Sequence, residues 1–205
     1  GLPGTSVAAA ARRGGHVGLV NLESLSDDLA AKQVEQLIAD AEPFGLALGT
    51  ITAEIRRLVD RALDHSLDLV LLCEPSPVDF QSDIARFKQG GARVFVQALS
   101  ADEAEVAVRA GADAVIVKGS ESGGRVGEET TFILLQRVVG RIGIPVWARG
   151  GVGMHTAAAC LAGGAAGVVL DWQLALCRES QVSAAVRARA VRLDGREPAL
   201  LGKNA

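Results

Sequence analysis

Apolar residues along this chain fall into short aliphatic runs separated by longer amphipathic stretches. Runs at 16–20, 44–48, 67–72, 93–97, 114–117, 145–148 and 167–170 are too short for helices and rich in Val, Leu and Ile, which predicts β-strands. Between them, residues 27–41, 53–65, 82–89, 101–110, 131–141 and 154–161 carry apolar residues at helical spacing and predict α-helices. Several of these helices run into glycine, at Gly90-Gly91, Gly111 and Gly163-Gly164, where a left-handed C-cap is expected. The strand runs are almost uniformly apolar instead of alternating. Burial on both faces follows, and with it a parallel sheet.

Strand runs about 20 to 30 residues apart, each followed by a helix, make a βα repeat of the α/β class. It closes most naturally as a TIM-type (β/α)8 barrel, with a doubly wound open sheet as the rival. The count of seven is one short, and the shortfall lies at the beginning. Gly1-Leu2-Pro3-Gly4 resembles the loop after a strand and residues 5–13 the helix that follows it, so the first strand is expected in a preceding part of a longer chain. Residues 1–180 then form a barrel domain holding strands two to eight, and residues 181–205 a C-terminal helix and tail. The run-on end, 191–197, suggests a module of a longer polypeptide.

Composition narrows the partners. Hydrophobic residues make up 49%, charged residues 22% and aromatics only 3% with no Tyr, so the core is aliphatic and stacking platforms for single-stranded nucleic acid are not expected. A formal net charge of −3 and scattered arginines leave no basic stripe for a phosphate backbone, so no nucleic-acid partner is expected. Cys73, Cys160 and Cys177 have neither zinc nor redox spacing; they read as core thiols of a reducing, cytoplasmic compartment, and no metal site is expected. Residues 150–170 are uncharged over a length that could span a bilayer, but paired glycines divide them into loop, helix and strand, so no membrane partner is expected.

In a barrel, chemistry gathers where strands end. Two of these junctions are dense in glycine: Lys118-Gly119-Ser120-Glu121-Ser122-Gly123-Gly124-Arg125-Val126-Gly127, and Arg149-Gly150-Gly151-Val152-Gly153 directly before a helix. Without Cβ atoms, backbone N–H groups can converge on an anion, and the helix N-terminus adds its partial positive charge, so phosphate is the natural guest. Glycines serving tight turns alone are the competing explanation. A dinucleotide fingerprint at Gly151-Val152-Gly153 fails at its third glycine, which is Thr156, and it follows several βα units instead of opening the chain.

The stretch from Gly111 through Gly124, then Gly127-Glu128, Thr130-Thr131 and Ile144-Pro145-Val146 leading into Gly150-Gly151-Val152, resembles the nitronate monooxygenases (2-nitropropane dioxygenases). It is similar also to the FMN-dependent enoyl-[acyl-carrier-protein] reductases. The resemblance implies a barrel holding FMN, with Gly150 and Gly151 at the phosphate and Lys118, Ser122, Gly123 and Gly124 near the flavin ring. It places Arg125 where the family has its catalytic His, Ala47 where it has a flavin-contacting Asn, and Leu170-Asp171 where a Gly-Thr pair completes the phosphate site.

These departures fall on functional positions. A guanidinium stays protonated at any working pH, so Arg125 cannot be a general base; it can hold a nitronate, a carboxylate or a phosphopantetheine phosphate, or be a plain surface residue. Asp171 at a phosphate site would repel a dianion by about 1 to 4 kcal/mol at 4 Å. Lys118 could offset that charge, polarise a flavin, or pair with Glu121. Trp147 is expected to pack between strands and helices. Two functions remain open. One is an FMN-dependent oxidoreductase of a small anionic or acyl-thioester substrate, by nitronate oxidation or enoyl-thioester reduction, with a degenerate site. The other is a non-catalytic docking domain among the domains of a polyketide or fatty-acid synthase.

Overall fold

A computed structural model describes residues 2, 4–74 and 79–193. Its strands are β1 (Leu19–Asn21), β2 (Phe44–Leu48), β3 (Leu67–Leu72), β4 (Arg93–Ala98), β5 (Ala114–Lys118), β6 (Val146–Arg149) and β7 (Gly167–Val169). Its helices are α1 (Ser6–Arg13), α2 (Asp27–Asp40), α3 (Ala53–Leu63), α4 (Phe80–Gln89), α5 (Ala101–Arg109), α6 (Thr131–Val139), α7 (Met154–Ala162) and α8 (Ala184–Ala190). All seven strands are parallel and hydrogen-bonded in sequence order, β1 to β7. The order never reverses, so there is no switch point and the doubly wound alternative is excluded. The sheet curls toward a barrel ringed by helices: a (β/α)8 barrel lacking one strand, with β1 and β7 as its edges.

Side chains alternate across the sheet with period two. Leu46, Leu48, Val70, Leu72, Val94, Val96, Val115 and Val117 point outward, buried against Ile84, Phe87, Leu134, Leu135 and Val138 of the helices. Each such side chain contributes roughly 1.5–3 kcal/mol by leaving water. The opposite parity, Ala47, Leu71, Cys73 and Ile116 with Leu19, Phe95, Trp147 and Val169, forms a second cluster inside the curl. Both faces are therefore apolar, which is why alternation is invisible in the strand runs.

Trp147 departs from expectation. It lies inside the curl, its ring centroid 6.0 Å from that of Phe95. Its seat is made by Gly167 on the neighbouring strand, where a Cβ would come within 2.4 Å of the indole. Strand limits also shift where backbone bonds dictate. His16 donates its N–H to the Ala11 carbonyl at 2.9 Å and finishes the turn after α1, so β1 begins later, at Leu19. β6 extends to Arg149 because Arg149 is in register with Lys118. Gly91, Gly111 and Gly164 take positive φ after their helices, as expected.

Residues 150–170 divide into a loop, α7 and β7, and no helix among the described residues is long and apolar enough to cross a membrane. Past β7, α8 packs on a short 3-10 turn (Trp172–Leu176), and Arg187 donates to the carbonyls of Leu176, Cys177 and Ser180. Gly1 and Pro3 of the opening loop, and residues 194–205 of the expected tail, lie outside the described residues. Gly167→Ala is expected to lower stability by about 1–3 kcal/mol through overpacking against Trp147. Urea unfolding measures it, and an unchanged midpoint at unchanged slope contradicts this seat for the indole.

Candidate functional site

The period-two alternation that turns Leu19, Leu71, Phe95, Ile116, Trp147 and Val169 inward turns the next residues of the same parity inward at the carboxyl ends of the strands. These are Asn21, Cys73, Gln97, Lys118, Arg149 and Asp171. An apolar interior thus ends in a polar layer at the mouth. Arg149, 6% exposed, spans that layer. Its Nη1 donates to Gln97 Oε1 at 2.9 Å and its Nε to Asp171 Oδ2 at 3.2 Å, while Gln97 Nε2 donates to the Cys73 carbonyl at 3.2 Å. On the β1 side, Asn21 Nδ2 donates to Glu23 Oε2 at 2.6 Å and Asn21 Oδ1 accepts the Glu23 N–H at 2.7 Å.

Lys118 lies within this layer at 2% exposure, and among the described residues no hydrogen-bond acceptor or carboxylate pairs with its Nζ. Desolvation, and then the like charge of Arg149, push its pKa below the ordinary 10.5; Glu23, Cys73 and Asp171 oppose the shift. The Cys73 thiol is driven the other way, to about 12, by burial and by Glu23, against the pull of Arg149 and Lys118. Cys73 is therefore a held thiol and no nucleophile.

The two glycine-rich loops interlock above the layer. The Arg149 carbonyl accepts the Gly119 N–H at 3.1 Å and lies 3.0 Å from the Thr131 hydroxyl. The Glu121 carboxylate accepts the Thr131 N–H at 2.9 and 3.0 Å, an anion placed on the first turn of α6. Glu121 is thus committed to the helix, and the pair with Lys118 does not form. Gly150 has φ +115°, and a Cβ there would lie 2.6 Å from Thr131 Oγ1 and 3.3 Å from the Ser122 Cβ, so only glycine fits between the loops. The Ser122 hydroxyl is buried with no partner among the described residues.

Of the residues singled out from sequence, Lys118, Ser122, Gly124, Gly150 and Gly151 come together at this rim, and Gly123 lies in the same loop. Arg125 lies further along that loop, its side chain 58% exposed and 3.7 Å from Glu103 on the first turn of α5. Ala47 is buried in the inner cluster. The repulsion foreseen at Asp171 is answered: Arg149 pairs with it, and its other oxygen accepts the Trp172 N–H at 2.6 Å. Gln97, Asn21 and Glu23 carry no sequence signal of their own, while Cys73 reads only as a core thiol and Arg149 only as the head of a glycine loop. Counting parity past the last apolar inward residue of each strand would have found most of them. A cavity of about 370 Å³ lies at the opposite end of the strands, between Ala8, Arg12, Gly18, Leu37 and Phe44, far from these groups. Among the described residues no cluster of His, Cys, Asp and Glu is arranged to hold a metal.

Known proteins resemble this chain along nearly its whole length. The sequence profile named "Nitronate monooxygenase" matches residues 15–195. A (3aS,4S,5R,7aS)-5-hydroxy-7a-methyl-1-oxo-octahydro-1H-indene-4-carboxyl-CoA dehydrogenase of Mycobacterium tuberculosis is 34% identical over 196 residues, covering 92% of this chain and 54% of that protein. A probable nitronate monooxygenase of Staphylococcus aureus is 26% identical, over 60% of this chain and 39% of its own. FabK from Thermotoga maritima superimposes with a TM-score of 0.82 at 29% identity, covering 94% of this chain and 61% of that one. The chain spans about half the length of the curated dehydrogenases it matches.

The buried ammonium makes stability depend on pH. Folded Lys118 releases its proton at lower pH than the unfolded chain does, so the unfolded state holds more protons between the depressed value and 10.5, and wild-type stability rises with pH across that window. Lys118→Met is expected to be more stable than wild type at neutral pH, by a margin that narrows toward pH 10.5. Urea unfolding over that range is the measurement, and a constant margin contradicts the burial of the charge.

Proposed function

The chain belongs to the nitronate monooxygenase family, and on that footing we propose that it is the barrel of an FMN-dependent oxidoreductase acting on an acyl thioester. The observation that carries the reading is the glycine-lined rim at Gly150-Gly151 beside the buried ammonium of Lys118, which no carboxylate among the described residues pairs with directly. The residues present suit the cofactor. Gly150 and Gly151 both take positive φ directly ahead of α7, whose N-cap, Gly153, has no side chain to occupy the helix amides. The orphaned Ser122 hydroxyl and buried Lys118 offer donors to a polar, electron-rich ring. Arg149 has already neutralised Asp171, so the one carboxylate at the phosphate position brings little net repulsion.

Gly150 and Gly151 would hold the phosphate, and Lys118, Ser122, Gly123 and Gly124 the ring. Bound there, FMN would supply hydride chemistry, which no side chain can. The chain's own residues bind, orient and exclude water. Arg125, at the family's His position, cannot move a proton. Its exposed guanidinium at the rim suits the phosphates of a coenzyme A or phosphopantetheine arm.

An acyl thioester is favoured over a nitronate because the relatives at 34% and 32% identity are carboxyl-CoA dehydrogenases, above the 26% of the nitronate monooxygenases. One observation favours the docking-module reading: the guanidinium of Arg125 is paired with Glu103 on the surface. A flavin titration separates the two. Purified protein is expected to take up FMN near one equivalent, and Gly150→Val to weaken that affinity at least about tenfold, by forcing a side chain between Thr131 and Ser122 at a φ that L-residues resist. Colourless protein that binds no FMN contradicts the oxidoreductase reading.

A further inference from the structure

The charged and polar groups at the barrel mouth are mostly held by their neighbours. Arg149 is tied to Gln97 and Asp171 and stays charged. The Cys73 thiol is held protonated by burial. Asn21 holds Glu23, and Glu121 is spent on α6. Lys118 is left: it is enclosed, paired directly with no carboxylate among the described residues, and in register with a second cation on β6. The β5–α6 loop folds back over it, so that a Cβ on Gly124 would lie 3.5 Å from Nζ. A buried ammonium that no carboxylate among the described residues pairs with directly is costly, and the fold keeps it at the junction where the two glycine loops meet.

We propose that Lys118 is the catalytic acid–base residue of this site, exchanging a proton with the carbon next to the activating group of its substrate. The inference rests on the acyl-thioester reading above. In the forward direction the neutral amine takes the α-proton: the C–H bond breaks, its electron pair passes into the thioester carbonyl as an enolate, and Nζ becomes an ammonium. In reverse that ammonium returns the proton to the α-carbon. Neither direction needs an oxidant or a reductant. The new positive charge forms beside the enolate oxygen and stabilises it. The charged and titratable groups around the amine are Glu23 after β1, Cys73 after β3, Arg149 on β6 and Asp171 after β7. Desolvation and Arg149 favour the neutral form, so the amine gives up its proton below the ordinary 10.5. Lys118 would thereby perform the proton transfer that Arg125 cannot.

The test needs no flavin. Butyryl-CoA in D2O is followed by proton NMR for loss of its α-CH2 signal, with protein stripped of any cofactor. Wild type is expected to accelerate exchange by about 10² or more over buffer, within the range of positioned general bases. The rate should climb with pH and level off below 10.5, the ordinary lysine value. Lys118→Met and Lys118→Arg should both fall to the buffer rate. The arginine variant keeps the cation but cannot give up a proton in this range. Exchange that survives in either variant, or wild type no faster than buffer, overturns the proposal. Protein that takes up FMN but exchanges no α-proton defeats this inference and leaves the oxidoreductase reading standing. Exchange without FMN uptake does the reverse.

Discussion

One guanidinium organises the mouth of this barrel. Arg149 reaches from β6 to Gln97 on β4 and to Asp171 beyond β7, and Gln97 passes the connection to the backbone at Cys73. A planar fork reaching one buried amide and one half-buried carboxylate is a geometry that arginine provides and lysine does not. Breaking such a pair from one side costs about 3–5 kcal/mol, because the partner charge is left stranded. This constraint has two consequences for chemistry. It cancels Asp171 as a repulsive charge. It also leaves Lys118, one strand away, with a like charge for a neighbour and, among the described residues, no carboxylate paired directly with it.

The scaffold sets that arrangement by simple means. Short strands with apolar residues on both faces bury one face under helices and the other inside the curl, and the inner face runs out of apolar residues at the carboxyl ends. Polar side chains are then concentrated where barrels place their chemistry. The loops above are joined by backbone and side-chain bonds, with Glu121 on the α6 amide and the Arg149 carbonyl shared by Gly119 and Thr131. The glycine rim is therefore held by a braced loop pair and not by a free one.

Much of this fold was legible from the residues. The seven strand runs, the helices between them and the left-handed caps at Gly91, Gly111 and Gly164 follow from apolar periodicity and from what only glycine does cheaply. The site was legible in its backbone and obscure in its side chains. Gly150, Gly151 and Lys118 announce themselves by composition and by their place at strand ends. Arg149 sits in the same run, but its role depends on Gln97 and Asp171, 52 and 22 residues away in sequence. Trp147 was misplaced for a related reason. Strands buried on both faces carry no polar marker of which side is inner, and the space for the indole is made by the missing side chain of Gly167.

The account stands on the carboxyl end of the strands being the binding face, although a cavity of about 370 Å³ opens at the opposite end. That cavity is rimmed by Arg12, Asp40 and Glu42 and lacks both the glycine rim and the buried ammonium. Amide chemical-shift mapping with FMN added to isotope-labelled protein tests the choice directly. The account predicts that the largest shifts fall on residues 118–124 and 150–153. Shifts confined to the neighbourhood of Arg12 and Phe44, or none at saturating FMN, would contradict it.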